Sequence, residues 1–239
     1  MFTGTSSLRS LLLCAVVIGV CVAVCAPLTA KTRAAFSAEA WSGVDRGALD
    51  PTVFELALGA AACAVKSGDI IDPSTLTVID YSRPSTARRL WVFDLRTQAL
   101  LYEELVAHGK NSGDNMATRF SNELDSHQSS IGLYLTEDSY VGKNGYSLRL
   151  RGLDEGFNDR AYERAIVMHG APYVNDDIAR TTGRLGRSWG CPALREGVAR
   201  AVIDRVKGTG LLFAYYPDSE WLKSSKYLND CQSSTNSTN

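Results

Sequence analysis

Two short stretches carry residues that could do covalent chemistry. Gly186-Arg187-Ser188-Trp189-Gly190-Cys191-Pro192-Ala193-Leu194 sets a cysteine on a glycine turn. Met168-His169-Gly170 sets a histidine at the end of an apolar run, 22 positions earlier. A cysteine attacks carbonyls as its thiolate, so its surroundings must favour loss of the proton, and a nearby histidine or a helix N-terminus does this. The recurrence of Leu194, Val198, Val202 and Val206 predicts a helix from Leu194 to Lys207, with Gly208 and Gly210 stopping it. Cys191 would then sit at the positive end of that helix, and if His169 pairs with it, it should alkylate well below the pH of an ordinary thiol. Pro192 keeps Cys191 out of helical angles. The backbone N–H groups of Gly190 and Cys191 are candidates for an oxyanion hole, each donor worth about 3–4 kcal/mol in such sites. His169 is the candidate general base, and the Gly170 carbonyl is placed to hold its other ring nitrogen.

The elements that must position these residues are mostly strands. Leu76 to Tyr81, Leu90 to Leu95, Ala99 to His108, Ile131 to Thr136, Tyr146 to Leu150, Ala165 to Met168 and Leu211 to Tyr216 are rich in branched and aromatic residues. Asp50-Pro51 opens a leading helix with the stripe Val53, Phe54, Ala57, Leu58, Ala61 and Ala62, and Ser67-Gly68 ends it. Gly109 to Ser129 is polar and without period, and a loop of that length is often functional. The chain divides into an export segment over 1–30, an N-terminal arm and helix over 31–74, a catalytic domain over 75–223 and a polar, fraying tail over 224–239.

The first 30 residues hold one charge, Arg9, followed by an apolar run from Leu11 to Leu28. That is the pattern of a secretory signal peptide. An uncleaved membrane anchor is the competing expectation, since roughly 20 apolar residues span a bilayer. Either way the expected location is exported, in the periplasm or cell envelope. Of six cysteines, Cys14, Cys21 and Cys25 fall in this segment, leaving Cys63, Cys191 and Cys231. In an oxidising compartment three cysteines suggest one disulfide and one free thiol. Cys63 and Cys231 flank the central domain and are the candidate pair, against the alternative of a simply buried Cys63.

The whole chain carries 25 basic and 26 acidic side chains, a net charge of −1. No basic excess exists to hold nucleic acid. The three histidines lack zinc-site spacing, and no phosphate-cradling glycine loop is present, so neither metal nor cofactor is expected. Asp176-Asp177 looks like a solvated turn.

Several stretches together resemble the L,D-transpeptidase (YkuD-type) catalytic domain. They are Val78-Ile79-Asp80-Tyr81-Ser82, Leu90-Trp91-Val92-Phe93-Asp94, His108-Gly109-Lys110-Asn111-Ser112-Gly113, Tyr146-Ser147-Leu148-Arg149-Leu150 and the run from Gly186 to Leu194. The likeness spans most of residues 75–223 and is similar to the murein L,D-transpeptidase branch. It implies a mainly β fold of sandwich or barrel type, with one helix before the domain and one after the cysteine. It implies that Cys191 attacks the L-centre carbonyl of diaminopimelate in a donor peptidoglycan stem peptide, releasing D-alanine and leaving a thioester. An acceptor stem amine then forms a 3→3 cross-link, with His169 shuttling the proton. Ser188, Trp189 and Gly190 occupy the shaping positions of the turn, and His108, Arg187 and Tyr134 are candidates for the substrate groove. The sequence departs from the family pattern twice. Trp189 stands where the motif has histidine, and Ala193 stands where it has arginine, with Arg187 and Arg195 the nearest replacements. Two other functions share these features: a carboxypeptidase or endopeptidase using water as acceptor, and a non-catalytic murein-binding envelope protein. A papain-like protease is disfavoured because that class places cysteine before histidine.

Overall fold

The computed structural model describes residues 36–37 and 39–231. The export segment over 1–30, with Cys14, Cys21 and Cys25, lies outside the described residues, as do 31–35 and 232–239.

Nine strands form one sheet: β1 (Thr75–Asp80), β2 (Leu90–Asp94), β3 (Ala99–Glu104), β4 (Val106–Ala107), β5 (Gly132–Gly142), β6 (Gly145–Gly152), β7 (Val167–Ala171), β8 (Ala193–Arg195) and β9 (Gly210–Tyr215). Their spatial order is β3-β2-β1-β9-β5-β6-β7-β8-β4. The two edge strands, β3 and β4, are separated in sequence by Leu105 alone, so the sheet curls until its edges meet at that buried residue. The described structure is therefore mainly β, and the sheet is nearly closed.

Strands β1, β2 and β9 and the first half of β5 are covered on both faces, which explains their near-continuous apolar runs. Alternate residues point to opposite sides. Leu76, Val78, Trp91, Phe93, Leu133, Leu211 and Phe213 face one core. Ile79, Leu90, Val92, Tyr134, Leu212 and Ala214 face the other, with Leu148 and Met168. Helix α1 (Pro51–Lys66) seals the first core. Asp50 caps it by accepting from Thr52 N at 2.7 Å, with Pro51 at its first position, and it buries Val53, Phe54, Ala57, Leu58 and Ala61. Helix α3 (Glu196–Val206) seals the second core through Ala199, Val202, Ile203 and Val206.

Three elements differ from the sequence expectation. The helix after Cys191 begins at Glu196, because Leu194 belongs to β8, wedged between β7 and β4. Asp176-Asp177 opens a helix, α2 (Asp176–Thr182), capped by the Asn175 side chain on Ile178 N at 2.8 Å. Residues 225–231, the described part of the tail, do not fray. Helices α4 (Ser219–Ser224) and α5 (Lys226–Asn229) bury Trp221, Tyr227 and Leu228 against the first core. Cys231 closes this end in a disulfide with Cys63 at the end of α1, across a sequence separation of 168. Cys191 is the free cysteine among the described residues.

One buried cation locks the closing seam. Arg89 is fully buried, and its guanidinium donates to Val106 O at 3.1 and 3.0 Å and to Arg83 O at 2.8 Å. Its Nη2 also meets His108 Nδ1 at 2.7 Å. A guanidinium only donates, so Nδ1 accepts, and His108 uses Nε2–H toward Gly113 O at 3.3 Å. His108 is therefore held neutral in the interior and does not line a substrate groove, which corrects the sequence expectation. Burial first, and then the adjacent Arg89 charge, push its pKa down from 6.5 to about 4.

Two predictions follow from these ties. Replacing Cys63 and Cys231 by serine should lower unfolding free energy by about 4 kcal/mol, given the long loop that the disulfide closes. An unchanged denaturation midpoint would contradict the tie. For His108, the unfolded chain binds a proton below about pH 6.5 that the folded chain refuses until about pH 4. The His108 contribution is thus intact above that window and declines by about 3 kcal/mol as pH falls through it. Urea titrations at both ends of the window should show this loss in wild type and its absence in His108→Gln. Parallel pH profiles for the two proteins would overturn it.

Candidate active site

The site is built on the parallel pairing of β7 with β8, in which His169 lies opposite Ala193 and Gly170 opposite Leu194. In that register Cys191, two residues before Ala193, falls beside Val167, two residues before His169. The base candidate thus sits on β7, and the nucleophile candidate lies in the segment that leads into the neighbouring strand β8. His169 N also donates to Pro192 O at 3.4 Å, fastening the two segments.

Serines hold the turn that carries Cys191. Ser188 is clamped by Ser188 N donating to His108 O at 3.0 Å and Lys110 N donating to Ser188 O at 2.8 Å. Its Oγ donates to Cys191 O at 2.7 Å and accepts from Gly190 N at 3.1 Å. Ser129 Oγ donates to Gly190 O and accepts from Gly109 N, both at 3.0 Å, while Ser129 N donates to Ser112 Oγ at 2.9 Å. Gly190 has φ 121°, and a Cβ there would meet Gln128 O and Ile166 Cδ1, each at 2.8 Å. Only glycine fits. The long loop over 109–129 thus supports the nucleophile turn, and Ser112 and Ser129 are positioning residues that polarity alone could not single out in a serine-rich stretch.

The Cys191 thiol is buried. Its Sγ lies 3.5 Å from Val167 N, which donates to it, and 3.7 Å from Ala165 O, which can accept its proton. No direct hydrogen bond joins it to His169 among the described residues. Burial raises the thiol pKa, and this outweighs the lowering effects of the Val167 N–H and the Arg164 charge. The expectation of a thiol acidified by a helix N-terminus is therefore corrected, since α3 starts at Glu196 and β8 intervenes.

His169 is 5% exposed, and its Nδ1 lies 2.9 Å from Gly170 O. A carbonyl only accepts, so Nδ1 carries the proton and Nε2 is the basic nitrogen. Burial lowers the His169 pKa, partly offset by that hydrogen bond. At neutral pH the site holds a thiol and a neutral imidazole. Of the two oxyanion candidates, the Gly190 N–H is already taken by Ser188 Oγ. The Cys191 N–H is the donor that remains.

The other sequence candidates separate in space. Tyr134 is buried, donates to Ser130 O at 3.1 Å and lines a small enclosed cavity with Tyr81, Gly190 and Pro192. It lies beneath the turn, not in an open groove, because its alternate position on β5 faces the core. Arg187 is committed to the 110–114 loop, donating to Gly113 O at 2.9 Å and pairing with Asp114 at 2.8 Å. Arg195 forms a two-pronged pair with Glu104 at 2.8 and 2.7 Å. Trp189 is 71% exposed and stacks on His127 with ring centres 4.9 Å apart.

One residue near the turn went unnoticed in the sequence. Arg164, in the loop leading to β7, donates to Ser121 O at 2.6 Å, Ser126 Oγ at 3.0 Å, Gln128 O at 2.6 Å and Ser130 Oγ. It ties together the loop that backs Gly190. Its position five residues before His169 was the available clue, but its partners lie 34 to 43 residues away.

No curated protein matches the sequence. Solved structures with similarity include an L,D-transpeptidase from Mycobacterium smegmatis, 14% identical, covering 60% of this chain and 59% of that one, with a TM-score of 0.37. An L,D-transpeptidase from Stackebrandtia nassauensis is 14% identical over 68% of this chain and 67% of its own, with a TM-score of 0.36. A Bdellovibrio bacteriovorus protein, Bd1075, is 14% identical over 68% and 55%, with a TM-score of 0.39. The chain thus spans less than two thirds of the mycobacterial structure and of Bd1075. The profile of the L,D-transpeptidase catalytic domain matches residues 45–215, which include the whole sheet, His169 and Cys191. By that match over most of its length, the chain belongs to the L,D-transpeptidase catalytic domain family.

Proposed function

We propose that the protein is an exported cysteine L,D-transpeptidase that joins peptidoglycan stem peptides through a thioester on Cys191. The observation that carries this is the tautomer of His169. With Nδ1–H spent on Gly170 O, Nε2 is free to take a proton, and the free thiol lies in the segment that enters the adjacent strand.

The chemistry follows in two halves. Cys191 Sγ attacks the carbonyl of the L-centre of the donor diaminopimelate as its proton passes to His169 Nε2. The Cys191 N–H faces the developing oxyanion. The C–N bond to D-alanine breaks, and the amine leaves with the proton from His169. The acceptor amine then gives its proton to His169 and attacks the thioester. A new amide forms, and the thiol recovers its proton. General base catalysis of this kind contributes about 10²–10⁴-fold.

Export is supported by the run from Leu11 to Leu28 after Arg9, and by the Cys63–Cys231 disulfide, since disulfides persist in oxidising compartments. Partners under this reading are donor and acceptor stem peptides, with no cofactor.

Muropeptides carrying tetrapeptide stems, incubated with the protein, should yield 3→3 dimers by mass spectrometry, and Cys191→Ala should yield none. His169→Ala should slow dimer formation by about 10²–10⁴-fold. Shortened monomers without dimers would replace the transpeptidase by a hydrolase. The resting site also makes a pH prediction. Because burial raises the thiol pKa and lowers that of His169, alkylation of Cys191 by iodoacetamide should rise through an inflection above the ordinary value of about 8.5. An inflection well below it would reveal a preformed thiolate–imidazolium pair and contradict general base action from a neutral site.

A further inference from the structure

The two arginines nearest to Cys191 in sequence are neutralised. Arg187 pairs with Asp114, and Arg195 pairs with Glu104. Arg164 differs. Its four hydrogen-bond acceptors, on Ser121, Ser126, Gln128 and Ser130, are all neutral oxygens. It has no carboxylate within salt-bridge distance among the described residues, and Glu123, the acid whose field reaches it, already pairs with Arg160 at 3.1 Å. Its Nη2 would stand 3.5 Å from a Cβ placed on Gly190, so the guanidinium backs directly onto the residue before the nucleophile. The side chain is half-buried, where solvent screens a charge less than at the surface. The Cys191 and Arg164 charges act on each other.

We propose that Arg164 is the specificity-determining cation of the site: its unneutralised charge draws the carboxylate-bearing end of the donor peptide to Cys191. The leaving D-alanine carries such a carboxylate one residue beyond the scissile carbonyl. Arg164 acts through its field and through the Gln128 carbonyl that it holds against Gly190. This rests on Cys191 as the nucleophile of the proposed reaction, but it can fail separately.

Two small alkylating reagents of the same shape isolate the field. Iodoacetate is anionic and iodoacetamide neutral, and both attack the same thiolate, so the ratio of their rates at one pH cancels the ionised fraction of Cys191. Arg164→Gln should lower the iodoacetate-to-iodoacetamide ratio by about tenfold. Arg164→Lys, which keeps the charge and loses the planar fork, should retain most of it. An unchanged ratio in Arg164→Gln would overturn the proposal. So would an equal loss in Arg164→Lys, which would assign the effect to loop geometry. Thermal melts of both variants show whether the loop over 121–130 stays folded. A wild-type Cys191 inert to both reagents would instead sink the nucleophile assignment beneath it.

Discussion

Three residues of parallel strand decide what this site can do. Strand β8 lies between β7 and β4, and its register with β7 places Cys191 beside Val167 and the imidazole of His169 two residues further on. Had those residues continued the following helix, the thiol would stand at a helix N-terminus and lose its proton readily. Instead it lies in a dry position against strand backbone, where burial favours the neutral form. The chemistry shifts accordingly from a preformed thiolate to proton removal during attack, which requires a neutral base. The Gly170 carbonyl supplies that condition by fixing the tautomer of His169.

So short a strand needs support from outside its own ladder. The backbone at His108 and Lys110 clamps Ser188 from one side, and Ser129 holds the Gly190 carbonyl from another. These hydrogen bonds lie in the interior, where leaving a donor or acceptor unmet costs about 1–3 kcal/mol. The seam behind them depends on Arg89, which gathers Val106, Arg83 and His108 around one buried charge. The nucleophile turn is therefore held where the sheet's curled edge, a polar loop and the seam of a buried cation converge. Exposed Trp189 departs from this pattern, stacking on His127 at the rim.

Much of this was legible in the sequence where local rules suffice. Asp50-Pro51 marks the start of α1 because a carboxylate cap and a proline both suit a helix entry. The apolar runs from Leu76, Leu90 and Leu211 mark strands buried on both faces. The residue types and turn context of Cys191 and His169 mark both as candidates. What was hidden depends on tertiary contact. The four-residue recurrence from Leu194 to Val206 looks helical throughout, yet Leu194 buries its side chain equally well from a strand. Helix α2 buries no residue, so it leaves no apolar period to read. His108 and Tyr134 carry polar atoms that suit a groove, and only their neighbours show that both are interior. Arg164 draws its meaning from a loop far away in the chain.

The central claim is that Cys191 becomes acylated by the donor stem, and intact-protein mass spectrometry tests it most directly. The protein is incubated with a tetrapeptide-stem muropeptide, without acceptor in excess, and quenched in acid. The account predicts an added mass equal to the donor less D-alanine, mapped by proteolysis to Cys191 and absent in Cys191→Ala. Turnover of the muropeptide with no adduct on Cys191, or an adduct that persists in Cys191→Ala, would contradict it.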